Sequence, residues 1–314
     1  MTELRSRAPY VLVAPALLAI GAFFFVPILA ALALSATDFD LYALADPDNL
    51  RVVGLDNYAR LLADPVFRTA LANTTYFVVV AAPLSIAVSL GAALLVSARL
   101  TRFPSLFRTV FFLPVVTTLV AAAVVWRYLY HPRLGLLNRA LAWLGIAPID
   151  WLGDPAWAMP AIILMSVWKN FGFNMVIFVA GLQSIPTRLY EAASIDGAGP
   201  VARFLHVTAP MLAPTFTFVA LMTMIGDFQL FSEPYVMTQG GPGDATLSVV
   251  LLMYREGFRW WNLGYAAATA FVLFIIILVL TSVALALRKR AAGAAEGAAA
   301  TNAGAGAATA GAGA

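Results

Sequence analysis

Polar side chains are rare inside the apolar stretches of this sequence, and their spacing there is the first pointer to chemistry. Between residues 155 and 183, Ser166, Asn170, Phe173 and Asn174 recur at helical intervals, with Lys169 beside them. Between residues 207 and 230, Thr223, Gly226, Asp227 and Leu230 do the same, so each set falls on one face of a helix. A hydroxyl, amide or carboxylate inside a membrane-spanning helix is costly, and it is retained where it faces a pathway or a buried partner. Asp227 is the most informative of these residues: it either faces such a pathway or pairs with Lys169 or Arg127 to hold helices together. An intramembrane enzyme is not indicated, because His131 and His206 fall in separate loops and there is no cysteine.

The elements that position these faces follow from composition. The chain has 314 residues, 62 % of them hydrophobic and 11 % charged, with a mean hydropathy of +0.87. A soluble domain of this size cannot hide so much apolar surface from water, so an all-α integral membrane protein is expected. The net charge of +3 comes from 17 Arg and 2 Lys scattered between apolar runs, which is no footprint for nucleic acid. Uncharged spans cover residues 8–37, 69–98, 109–126, 155–183 (interrupted only by Lys169), 207–226 and 260–287. Each approaches or exceeds the roughly 20 residues that cross the hydrocarbon core, so six transmembrane helices in the cell (inner or plasma) membrane, in contact with lipid, are predicted.

Arg5, Arg7, Arg99, Arg102, Arg108, Arg188, Arg203, Arg288, Lys289 and Arg290 gather on one side of these spans, which places both termini in the cytoplasm. Pro15 and Pro27 predict kinks in the first span. On the outer side, residues 54–58 lead into an amphipathic helix over 58–71 lying along the surface. Trp126, Tyr128, Tyr130, Trp143, Trp260 and Trp261 read as an aromatic interface belt. The domain plan is an N-terminus at 1–9, a six-helix domain at 10–290 and an Ala/Gly tail at 291–314, which its glycines predict to be disordered.

The segment between the fourth and fifth spans carries complete helix punctuation. Ser184 or Thr187 can cap, Pro186 suits a first turn, Glu191-Ala192-Ala193 favours helix, and Gly197 suits the left-handed residue that ends one. A short helix followed by a second from Pro200, stopping before Pro210, makes a helix-turn-helix at the membrane face over about 184–209. Asp196 can pair with Arg203 there.

Glu191-Ala192-Ala193, three residues, Gly197, nine residues, Val207, one residue and Ala209-Pro210 together resemble the EAA loop of permease subunits of binding-protein-dependent ABC importers. Val207 and Ala209 replace the usual Ile and Leu and keep the apolar character. Trp168, the run 180–186, the run 236–242 ending in Gly240-Gly241-Pro242, and residues 54–58 are similar to the carbohydrate type, the maltose and glycerol-3-phosphate permeases.

The resemblance implies a type I importer permease fold and a division of labour. Glu191, Ala192, Ala193, Asp196 and Gly197 would form a coupling helix docking on a separate ATPase, while Ser166, Asn170, Phe173, Thr223, Gly226, Asp227 and Leu230 would contact a sugar. Asp and Asn suit vicinal hydroxyls and Phe173 suits the C–H face of a ring. The implied partners are a second permease subunit, two ATP-binding subunits and an extracytoplasmic solute-binding protein. No cofactor is expected on this chain; ATP and Mg belong to the partner ATPase, since no Gly-x-x-x-x-Gly-Lys-Ser/Thr loop is present. A phosphorylated substrate such as glycerol-3-phosphate, with Lys169 as counter-charge, is the alternative, and an ion-coupled carrier using Asp227 and Glu233 is a further one.

Overall fold

The structure, a computed structural model, describes residues 2–97 and 102–311. Arg99, read above as a cytoplasmic charge, and the last three tail residues lie outside that range. The first span forms α1 (Thr2–Ile20), a π-helical turn at Gly21–Phe25 and α2 (Val26–Ser35). The wide turn sits beside Pro27, whose missing N–H cannot complete an α-helical bond; Pro15 lies within α1. Short α3 (Leu41–Ala45) and α4 (Asp56–Ala63) follow.

The outer helix expected over 58–71 is therefore shorter. Asp64 adopts an extended conformation after Ala63, and α5 (Pro65–Ser97) starts at once, with Pro65 at the first turn, where its missing N–H is harmless. Residues 54–58 act as a clamp. Asn57 is buried and its side-chain amide donates to the carbonyls of Ser35 and Thr37 at 2.9 and 2.7 Å, while the Tyr58 hydroxyl meets Ser35 Oγ at 2.7 Å.

The third span is not one straight helix. It is α6 (Pro104–Val116) and α7 (Leu119–Leu129), bent by 96°. Thr117 and Thr118 are extended, and the Thr118 hydroxyl caps α7 by accepting from the N–H of Ala121. Pro114 removes a donor just before the break. Next come α8 (Leu136–Trp143) and α9 (Pro155–Gln183). The Asp154 carboxylate caps α9 at the N–H of Ala156, and Pro155 opens its first turn.

Beyond the loop helices α10 (Thr187–Ile195) and α11 (Pro200–Arg203), a π-helical turn at Phe204–Thr208 runs straight into α12 (Ala209–Phe228). The second loop helix thus does not stop before Pro210. The π turn absorbs the proline's missing donor, with the N–H of Ala209 reaching the Phe204 carbonyl, and the expected separate helix is the foot of the fifth span. The chain ends with α13 (Ser232–Met237), α14 (Val249–Tyr254), a π turn at Arg255–Arg259 and α15 (Leu263–Gly311). The Ala/Gly segment expected to be disordered continues α15 as far as Gly311; its alanines, the best helix formers, outweigh its glycines. Contacts group the chain into one unit ending at Leu273 and another beginning at Phe274.

Within the first unit α9 is the central post. Gly172 lets it approach α6 so closely that a Cβ there would lie 2.1 Å from the Phe111 carbonyl oxygen, and Gly181 meets Thr215 and Leu212 of α12 in the same way. Small residues at such crossings are how helices pack where lipid removes the hydrophobic drive. Two apolar clusters form along it. One gathers Phe77, Trp126, Tyr130, Ile162 and Met165, the other Ala93, Met175, Phe178, Leu212 and Val219. Between them lies the stretch of α9 that carries Ser166, Asn170 and Asn174. Trp126 and Tyr130, assigned above to an interface belt, belong to the first cluster, and the Tyr130 hydroxyl donates to the Ala161 carbonyl at 2.8 Å. Tyr128, Trp143, Trp260 and Trp261 are exposed.

Candidate functional site

Between the two clusters the first unit holds a cavity of about 410 Å3. Ser166, Asn170 and Phe173 of α9 line it together with Thr223, Gly226 and Asp227 of α12 and with Leu230 just beyond. All the residues singled out at helical spacing therefore meet in one space. The two faces are tied to each other: the Asn174 amide donates to Thr223 Oγ1 at 3.0 Å, and the Asn170 amide donates to Ser166 Oγ at 3.3 Å. Phe173 is half exposed and Asn170 is exposed, so the cavity is open on their side.

The charged groups settle an alternative raised by the sequence. Lys169 is buried, but its ammonium donates to the Val115 carbonyl at 3.1 Å, one of the carbonyls that the α6–α7 break deprives of a helical donor. Arg127 donates to the Val236 carbonyl at 3.3 Å. Neither forms an ion pair with Asp227 among the described residues. Asp227 Oδ2 is instead buried without a hydrogen-bond partner there, as is Ser85 Oγ, and both residues line the cavity. Buried polar atoms are normally satisfied, so an orphan facing an open cavity points to a ligand.

The sequence reading left out several lining residues. Glu233, singled out only for the ion-coupled alternative, is buried on α13 and faces the same space. Burial pushes its carboxyl above the ordinary range, against its own backbone hydrogen bond, the Lys169 charge and Ser166. Ser85, Gln229 and Ser232 also line it. Ser85 and Ser89, four apart in the otherwise apolar run 77–96, carried the signal that could have found α5; Ser89 Oγ hydrogen-bonds to the Phe171 carbonyl at 3.0 Å.

The loop is a different kind of surface. α10 has no buried residue, and Glu191, Ala192, Asp196 and Gly197 are exposed, with Ala193 half-buried. Gly197, at φ +76°, closes the helix as its spacing predicts: its N–H donates to Ser194 O at 3.2 Å and that of Ala198 to Ala193 O at 2.9 Å. The caps differ from expectation. Pro186 is the N-cap, without a side-chain bond, and Ser184 ends α9 by bonding to Gly181 O. Arg203 bonds to Ser194 Oγ at 3.2 Å instead of Asp196. Tyr190 anchors the helix through its hydroxyl, 3.0 Å from Thr208 Oγ1 at the foot of α12.

Residues 86–293 match the family described as the binding-protein-dependent transport system inner membrane component. The chain belongs to this family. It is 39 % identical over 269 residues to the lactose transport system permease protein LacF of Rhizobium radiobacter, spanning 84 % of this chain and 88 % of that one. It is 36 % identical over 271 residues to the sn-glycerol-3-phosphate transport system permease protein UgpA of Yersinia pestis bv. Antiqua (strain Antiqua), spanning 86 % and 90 %. Its fold is similar to a chain in the crystal structure of a bacterial ABC transporter involved in the import of the acidic polysaccharide alginate, with a TM-score of 0.76 at 22 % identity over 91 % of this chain and 96 % of that one. The transport component so identified has the type I importer permease fold; among the described residues five helices are long and apolar enough to cross a membrane, and six if the bent pair is counted as one. Membership decides against the self-sufficient ion-coupled carrier.

Proposed function

We propose that this permease forms the pathway of an ATP-driven importer for a neutral sugar or oligosaccharide, delivered by an extracytoplasmic binding protein. The observation that carries this reading is the single cavity of about 410 Å3 on which Ser166, Asn170, Thr223 and Asp227 converge with the face of Phe173. That volume lies within the range of small-molecule sites. An amide, hydroxyls and a carboxylate with one oxygen unpartnered among the described residues suit sugar hydroxyls, while the half-exposed ring suits a C–H face.

Relatives include a lactose and a glycerol-phosphate permease, so family alone does not choose the substrate. Charge does. Two carboxylates, Asp227 and Glu233, line the cavity, and the one nearby ammonium, Lys169, is turned to a backbone carbonyl. A phosphate would find carboxyl groups there, with the Lys169 ammonium held by a backbone carbonyl.

The open side of the cavity, at Asn170 and Phe173, is where a second permease subunit would close it. The exposed Glu191 loop would dock on one of two ATP-binding subunits, which hold ATP and Mg; the carboxylate of Glu191 suits a basic partner and Ala192 and Ala193 permit close approach. Loop and termini would then face the cytoplasm. The test is a mild-detergent pull-down from native cells with mass spectrometry of every co-purifying chain and of the ligand on the binding protein. A neutral saccharide is expected; a phosphate ester there overturns the substrate assignment, and the absence of an ATPase overturns the coupling.

A further inference from the structure

A second cavity, of about 230 Å3, lies beyond the end of α12, away from the Glu191 loop, and is lined by Tyr235, Gln239, Tyr254, Arg255, Phe258 and Arg259. Aromatic rings connect it with the central cavity. Phe231 lines the central space, stacks on Tyr235 with centroids 5.2 Å apart and meets Tyr254 at the same distance. Tyr254 in turn lies 5.3 Å from Tyr235 and 5.6 Å from Phe258.

A packing role accounts for the inner rings but not for the outer ones, since Tyr235 is 40 % and Phe258 67 % exposed. The polar wall is built as well. Arg255 is held by Asp244 at 3.0 Å and by the Gln239 carbonyl. Gly240 permits that approach, because a Cβ there would lie 2.6 Å from the guanidinium. Gln239 itself takes the left-handed conformation, at φ +52°, a cost a non-glycine residue bears only where its surroundings enforce it. Arg259, on the same wall, makes no ion pair among the described residues.

We propose that this cavity is an outer saccharide subsite, from which a sugar passes along the Tyr254–Phe231 rings into the central cavity; the inference rests on the saccharide reading above. A pyranose ring lays its C–H face on Tyr235 or Phe258 and directs its hydroxyls to Gln239 and Arg259. A weak station of this kind suits a path that must also release its substrate.

The test labels the purified full complex with lactose carrying a photoreactive diazirine and maps the adducts by mass spectrometry. Labelling is expected both on the segment 249–259 and near Phe173, competed by unlabelled lactose and not by glycerol-3-phosphate. Phe258→Ala should lower labelling of Tyr254 and its neighbours roughly fivefold, the scale of one aromatic contact, and Phe258→Trp should restore it. Labelling near Phe173 alone overturns the subsite and leaves the saccharide reading standing. Labelling at neither place overturns both. Unchanged labelling of Phe258→Ala with weaker retention of the binding protein makes the cavity a protein-docking surface and overturns the subsite.

Discussion

The central cavity and the Glu191 loop both carry polar residues that the fold around them does not need, and they are built in opposite ways. Around the cavity the supporting groups are buried and cross-linked: Asn174 to Thr223, Lys169 to Val115, Ser89 to Phe171. On the loop nothing of α10 is buried, and its apolar neighbours Ile195 and Val201 are 87 % and 71 % exposed. A site for a small molecule must be preorganised by the chain that owns it. A surface for a partner can leave its burial to the complex, and exposed apolar groups beside a carboxylate mark such a surface.

The most severe way to break the comparison is to remove the support of the cavity. Gly172→Leu places side-chain atoms where a Cβ alone already meets the Phe111 carbonyl oxygen at 2.1 Å. Backbone on both sides cannot yield, so a loss of about 3 kcal/mol or more is expected. The measurement is the yield and thermal stability of the detergent-extracted protein. A protein as stable as wild type would mean that α6 and α9 do not pack through this glycine.

Loop substitutions should do the reverse, leaving the chain stable and isolating it from its partner. Glu191→Ala removes an exposed carboxylate, and Gly197→Asp strains a residue at φ +76° by about 1 kcal/mol. Both should insert at normal levels with uptake falling roughly tenfold or more as ATPase association is lost, the scale of a partner contact worth over 1 kcal/mol. Normal ATPase retention and uptake in both variants would remove the coupling role.

Asp227→Ala separates function from stability within the cavity itself. Because Asp227 Oδ2 has no partner among the described residues, its removal leaves no orphaned donor behind, and stability should hold or rise. Uptake should fall by roughly tenfold, the value of a charged hydrogen bond to substrate. A drop in thermal stability with unchanged uptake kinetics would make Asp227 a structural residue.

How much of this was legible in the sequence depends on the range of the interactions involved. The faces of α9 and α12 and the Gly197 helix end follow from spacing along one helix, and they stand in the structure as read except at Leu230, which lies beyond the end of α12. The features that spacing missed depend on contacts between elements. Lys169, named only as the counter-charge of the phosphate alternative, donates to the Val115 carbonyl that the break at Thr117 exposes. Trp126 and Tyr130 read as interface aromatics until Trp151 and Trp168 pack on them. Pro210 reads as a helix stop until a π turn accommodates it. Each error takes a local preference at face value where a neighbouring helix or a wider turn supplies what the residue lacks.

The smallest expected effect lies on a bond that joins the two regions. Tyr190 belongs to the exposed loop helix, yet its hydroxyl meets buried Thr208 at the foot of α12, the helix whose other end carries Thr223 and Asp227. A force applied to α10 by a partner reaches the cavity through rigid helix only if that foot moves with it. Tyr190→Phe keeps the ring and deletes the bond, worth about 1 kcal/mol. ATPase association should be unchanged, because the hydroxyl faces Thr208 and not the exposed surface. The number of substrate molecules moved per ATP should fall, by at most roughly fivefold. Equal transport per ATP in the variant would show that the loop drives α12 through the continuous backbone from Gly199 onward, and the hydroxyl pair would then be only a local fastening.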